Sequence, residues 1–73
     1  MTDQELLASI RAFSRRRPFR NYVIEFNNGK QILLTHPEGI GPFAGVWLYV
    51  DPRGPQIVFA SSAVCRVLDV IET

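Results

Sequence analysis

Between Tyr22 and Leu34 apolar and polar positions alternate with a period of two, and this stretch organises what is expected of the rest of the chain. Tyr22, Ile24 and Phe26 interleave with Val23, Glu25 and Asn27, and Asn28-Gly29 then supplies a turn signal. A two-residue Asn28-Gly29 loop would pair Phe26 with Gln31 and Ile24 with Leu33, leaving Ile32 and Leu34 on the face of Glu25. A three-residue loop over residues 27–29 instead pairs Phe26 with Lys30, Ile24 with Ile32 and Tyr22 with Leu34, gathering five apolar side chains on one face. A one-residue slip turns a whole strand over, so the apolar count selects the three-residue loop with Gly29 in the left-handed conformation.

Ahead of this hairpin, Leu6, Leu7, Ile10 and Phe13 fall at helical spacing and predict a helix over residues 3–16. Thr2 and Glu5 form a capping box at its start. Asp3 and Glu5 near the first turn and Arg15 and Arg16 near the last suit the helix dipole. Pro18 stops the helix, because the residue before a proline is pushed out of the helical region. After the hairpin, residues 36–42 (HPEGIGP) read as a turn-rich connection and residues 51–55 (DPRGP) as another turn. The remaining strands are expected at residues 46–50 and 56–60. The C-terminal segment is ambiguous: Val64, Val67, Leu68 and Ile71 have helical spacing, with Ser61 or Ser62 as a cap, yet the segment is rich in β-branched residues. A turn over residues 61–64 followed by a strand over 65–71 is the favoured reading. With strands at 21–27, 30–35, 46–50, 56–60 and 65–71, the pattern predicts an α+β fold. One helix packs on a small, strongly bent five-stranded antiparallel sheet that curls to remove its edges.

Seventy-three residues are expected to form a single domain over residues 1–73, near the lower size limit for folding alone. Cys65 is the only cysteine and His36 the only histidine, so neither a disulfide nor a histidine-rich metal clip is available to reinforce it, and no cofactor is implied. Self-association into a homo-oligomer is the expectation that follows from size. The longest apolar run, residues 43–50, already contains a glycine and is far too short to span a bilayer, and no signal segment is visible. A soluble, cytoplasmic, reduced protein is expected.

Charge adds one feature. Net charge is +1, but residues 1–30 carry six basic and three acidic side chains, whereas residues 31–73 carry two and four. Arg11 and Arg15 lie one helical turn apart, and Arg16, Arg17 and Arg20 follow across the proline. Arg15, Arg16, Arg17 and Arg20, with Phe19 placed to stack on a base, are a candidate nucleic-acid-binding patch giving affinity without sequence reading. The same arginines also serve as helix-end charge over the mouth of the fold, and Phe19 as a core plug. Trp47 and Tyr49 alternate with Val46, Leu48 and Val50. If the aliphatic set faces inward, the two aromatics form an outward pair that marks an interface; if the aromatics fill the core, the aliphatic set lies outside it.

Candidate chemistry is sparse. His36 and Glu38 share a turn without a partner nucleophile. Cys65, among Val64, Val67 and Leu68, reads as a buried structural thiol. Ser61 and Ser62 read as turn caps, Asp69 and Glu72 as solvated, and the glycines form no phosphate loop. A non-enzymatic binding module is expected, with RNA as the partner class for the arginines. The competing reading is a self-associating protein-interaction or accessory subunit with no nucleic-acid role.

The run Arg17-Pro18-Phe19-Arg20, then Tyr22-Val23-Ile24-Glu25-Phe26, Asn28-Gly29-Lys30 and Thr35-His36-Pro37-Glu38, resembles a group of small uncharacterised bacterial proteins. Their pattern is R-P-F-R-P-F, a strand, D/N-G-R, a strand, then H-P-E. The similarity covers residues 13–50, and the chain departs from it with Asn21 at the second proline and with an aromatic third strand. It implies a helix-plus-barrel fold and no activity. The chain also resembles Sm-like small β-barrels in its N-terminal helix, its strand ending before Gly29-Lys30 and its five expected strands. That resemblance implies ring formation through edge strands and RNA binding, although the third strand lacks the Asp and Asn of the Sm RNA pocket.

Overall fold

The computed structural model describes residues 1–54 and 56–70. Helix α1 covers Asp3–Ser14 and starts with the expected capping box. The Glu5 backbone N–H donates to Thr2 Oγ1 at 3.1 Å, and the Thr2 N–H donates to Glu5 Oε1 at 2.8 Å. The helix ends before Arg15 and Arg16 rather than including them; Arg15 is its C-cap. Six strands follow: β1 Tyr22–Phe26, β2 Gln31–Leu34, β3 Ile40–Phe43, β4 Val46–Val50, β5 Gln56–Phe59 and β6 Val64–Asp69, with a 3-10 turn, Ser61–Ala63, before the last.

These strands form two three-stranded antiparallel sheets, ordered β2-β1-β6 and β3-β4-β5. The expected single bent sheet of five strands is therefore corrected to two small sheets with six. The extra strand, β3, lies inside what reads as a turn-rich connection. Its Gly41 and Pro42 are poor strand residues, but β3 is an edge strand, where a proline without an N–H is tolerated. It turns into β4 through Ala44-Gly45, both with positive φ (50° and 83°), as a two-residue hairpin of this hand requires.

The β1–β2 hairpin has the register expected from the apolar count. Tyr22 faces Leu34 and Ile24 faces Ile32, while the Phe26 N–H donates to the Lys30 carbonyl at 2.8 Å. Gly29 closes the loop at φ 87°, its N–H donating to the Phe26 carbonyl at 2.9 Å, and Asn28 Oδ1 accepts from the Lys30 N–H at 3.0 Å. Tyr22, Ile24 and Leu34 are fully buried, and Phe26 and Ile32 pack beside them.

Strand β6 resolves the C-terminal ambiguity as a strand, and a bulge explains the ambiguity. Glu25 pairs with Arg66 but Phe26 pairs with Val64, so Cys65 is the extra residue. The bulge lets Val64 and Val67, three apart, both reach the core, which imitates helical spacing. It also turns Cys65 outward: the thiol is exposed, correcting the buried reading. Ile71, the expected last strand residue, lies outside the described residues.

The core gathers between the sheets and under α1. Leu6 and Ile10 from the helix meet Tyr22 and Ile24 from one sheet and Trp47, Tyr49 and Phe59 from the other. Phe26 and Phe59 join the two sheets edge to face, with ring centroids 5.2 Å apart. The helix lies against β6 and the 3-10 turn. Asn27 ties the hairpin to that turn, its N–H donating to the Ala63 carbonyl and its Nδ2 to the Ser62 carbonyl, each at 2.9 Å.

Candidate nucleic-acid interface

The expected arginine patch lies where α1 ends and the chain crosses to β1, and its members do different work. Arg16 is built into the fold. Its guanidinium lies over the Phe13 ring, 4.7 Å from the centroid. Nη1 pairs with Asp69 Oδ1 at 2.8 Å, and Nη2 donates to the carbonyls of Arg20 at 2.9 Å and Asn21 at 3.4 Å. Its side chain is only 19% exposed, so one cation staples the helix end, the 17–21 loop and β6 together. Asp69, read from the sequence as solvated, is the anionic half of that staple. The Arg16 guanidinium, with Arg20 beyond it, holds its carboxyl below the usual range. Nothing local in the sequence links Arg16 to Asp69; only the pairing of β1 with β6 brings them together.

Phe19 is partly buried against the core. It meets Tyr22 edge to face at 6.2 Å, while Phe13 stacks on the same ring at 5.1 Å. This packing is what the core-plug reading of Phe19 describes, and the ring keeps part of its surface exposed. Arg15, Arg17 and Arg20 are exposed, as is Arg11 one turn before Arg15. Arg17 donates to the Arg16 carbonyl at 3.3 Å. Arg20, with a side chain 66% exposed, stands 3.7 Å from Asp69. Among the described residues Arg11, Arg15 and Arg17 form no ion pair. What remains accessible is a corner of four cations beside one partly neutralised carboxylate.

Trp47 and Tyr49 do not form the outward interface expected of them. They are 3% and 1% exposed, because β4 turns them into the core and leaves Val46, Leu48 and Val50 on its other face. The Trp47 indole N–H donates to Asp3 Oδ1 at 3.3 Å, and the Tyr49 hydroxyl reaches the Leu33 carbonyl at 3.5 Å. Each polar tip finds a partner at the margin of the core, which is what allows these rings to be buried.

His36 and Glu38 are exposed on the loop between β2 and β3, and the His36 ring shares a hydrogen bond with the Thr35 hydroxyl at 2.8 Å. A cavity of about 260 Å³ lies nearby between the sheets, lined by Thr35, Tyr49, Asp51 and Arg53 among apolar neighbours, and neither His36 nor Glu38 lines it. Among the described residues no group of three or more His, Cys, Asp or Glu side chains is placed to hold a metal ion. Nor is any described helix long and apolar enough to cross a membrane. Compared with known proteins, the chain matches no family model, no curated protein and no solved structure.

Proposed function

We propose that this protein is a non-enzymatic binding module whose arginine corner holds the phosphate backbone of RNA. The observation that supports this reading is the division of labour among the arginines. Arg16 is spent on folding, and by fixing the 17–21 loop it holds Arg17 and Arg20 beside the end of the helix that carries Arg11 and Arg15. Arginines presented from a fixed frame lose less conformational freedom on meeting phosphates than arginines on a free tail. Arginine contacts to phosphates carry no base information, so binding through this corner is indifferent to sequence.

The architecture fits a helix-capped, Sm-like small barrel in which β2 and β3 are two halves of one interrupted strand. They follow one another in the chain, each is an edge of its own sheet, and a 3-10 turn precedes a last strand that returns beside β1. A second reading, a protein-interaction or accessory subunit that self-associates, draws on the Arg16–Asp69 pair, which removes one cation from the patch and lowers the charge left for a polyanion.

A gel shift with a mixed single-stranded RNA pool separates the two. Three or four phosphate contacts predict affinity falling about 20- to 50-fold between 50 and 200 mM salt. Replacing Arg15, Arg17 and Arg20 together by alanine is expected to abolish the shift while leaving the fold, read by circular dichroism, intact. No binding by the unaltered protein at 50 mM salt would overturn the RNA reading and leave the second one standing.

A further inference from the structure

The strand alternation that buries Trp47 and Tyr49 leaves the opposite face of the β3-β4-β5 sheet without a cover. Phe43 pairs with Val46 there, Leu48 with Val58, and Val50 with Gln56. Five of these six side chains are apolar, none is charged, and Phe43, Val50 and Val58 are 64%, 41% and 61% exposed. The outer face of the other sheet is mixed: Val23 lies between Leu33 and Leu68 in one row, and the next row is polar. On β1, Glu25 accepts from Gln31 at 2.9 Å on β2 and from Arg66 at 2.7 Å on β6, a polar trio across all three strands. An antiparallel sheet with one face in water normally alternates apolar-in and polar-out. The β3-β4-β5 sheet is apolar on both faces, the composition of a sheet covered on both.

We propose that this face docks on the same face of a second copy of the chain, forming a two-fold sheet-on-sheet dimer. This deepens the self-association reading and does not depend on RNA. Three observations favour a second copy over another partner. The face is neutral throughout, so a two-fold axis brings no like charges together. The cationic corner, which would repel its own copy, is built from α1, the 17–21 loop and β6 and contributes nothing to this sheet. The size of the patch also matches a weak dimer. One aromatic and four aliphatic side chains in these exposures, with their rim, present on the order of 400–500 Å² on each copy, so a pair hides about 800–1,000 Å². That lies below the range of stable specific interfaces and among weak, transient ones, so a reversible dimer rather than a permanent one is expected. Two such sheets pack about 10 Å apart with strands crossing at about 30°, which interdigitates Phe43 and Val58 with their counterparts.

Sedimentation velocity over about 1–500 µM protein without nucleic acid tests this. The expected result is a reversible monomer–dimer equilibrium. Val58→Glu and Phe43→Glu, made separately at sites too exposed to carry the fold, should each raise the dissociation constant at least tenfold. Leu33→Glu, at a side chain 48% exposed on the other sheet, should leave it unchanged. A monomer throughout the range overturns the proposal. So does a dimer indifferent to both the Val58 and Phe43 variants, or a closed ring of more copies, which would point to edge strands instead. Binding of RNA in the gel shift with no dimer here, or the reverse, tells the two readings apart.

Discussion

Gly29 and Ala44 occupy mirror positions in the two hairpins and invite opposite substitutions. Gly29 sits at φ 87° with open space where a Cβ would go, so Gly29→Ala meets no neighbour and its cost is conformational alone. That cost is about 1 kcal/mol or more. Ala44, at φ 50°, already pays a penalty of this kind as the first residue of a turn that prefers Asn or Gly. Ala44→Asn is therefore expected to stabilise the protein by about 0.5–1 kcal/mol. Urea unfolding of the two variants beside the parent checks both signs at once. A Gly29→Ala midpoint equal to the parent's would show that the β1–β2 loop does not need the left-handed residue. An Ala44→Asn midpoint below the parent's would show that the β3–β4 turn is not strained.

At the scale of elements, what could be read from the sequence depended on whether the controlling interaction was local. The β1–β2 hairpin was legible, register included, because five apolar side chains and one Asn-Gly step decide it within fourteen residues. The helix start was legible for the same reason, Thr2 and Glu5 being three apart. β3 was hidden because its turn is Ala44-Gly45, without the Asn that announces a hairpin, and because Gly41 and Pro42 are turn residues everywhere except on an edge. The bulge at Cys65 disguised β6, since it breaks the period of two that defines a strand. The direction of β4 was undetermined: Trp47 and Tyr49 on one side and Val46, Leu48 and Val50 on the other are both apolar sets, and the choice of the aromatics rests on long-range packing with α1 and the other sheet, Leu6, Ile10, Tyr22 and Ile24 among it. Within the candidate site, the exposed arginines were visible in the sequence, but the removal of Arg16 by Asp69 was not. Trp47 gives a direct check, being the only tryptophan and 3% exposed. Its emission should lie to the blue of free indole in the native protein and move red in a single step on unfolding. Trp47→Ala removes about 3–5 kcal/mol, comparable with the whole stability of a chain this size. That variant should lack a cooperative unfolding transition by circular dichroism. Red native emission and a fully folded Trp47→Ala variant would together place β4 the other way round.

For the molecule as a whole, the joints between elements are carried to an unusual degree by carboxylates. Ser61 and the Trp47 indole hold the Asp3 carboxyl below its ordinary range, linking α1 to the 3-10 turn and β4. Glu5 is lowered by the backbone and hydroxyl of Thr2 at the helix cap. Gln31 and then Arg66 lower Glu25 across β2-β1-β6, and Arg16 lowers Asp69 where the helix end meets β6. In each case the folded pKa lies below the unfolded one, so in acid the unfolded chain binds more protons than the folded one. The stability these groups contribute is complete above the unfolded carboxylate range, near about pH 4, and is lost as pH falls through the folded values. All four side chains are solvent-accessible, so each contribution is modest and screened by salt. Melting temperature measured from neutral to acid should therefore stay level down to about pH 5 and then fall. Asp69→Asn should start from a lower neutral value and fall less, because the variant has already lost the ionised partner of Arg16. A melting temperature that is flat into strong acid, or an Asp69→Asn curve parallel to the parent's, would mean that the Arg16–Asp69 staple does not help hold the helix end on the sheet.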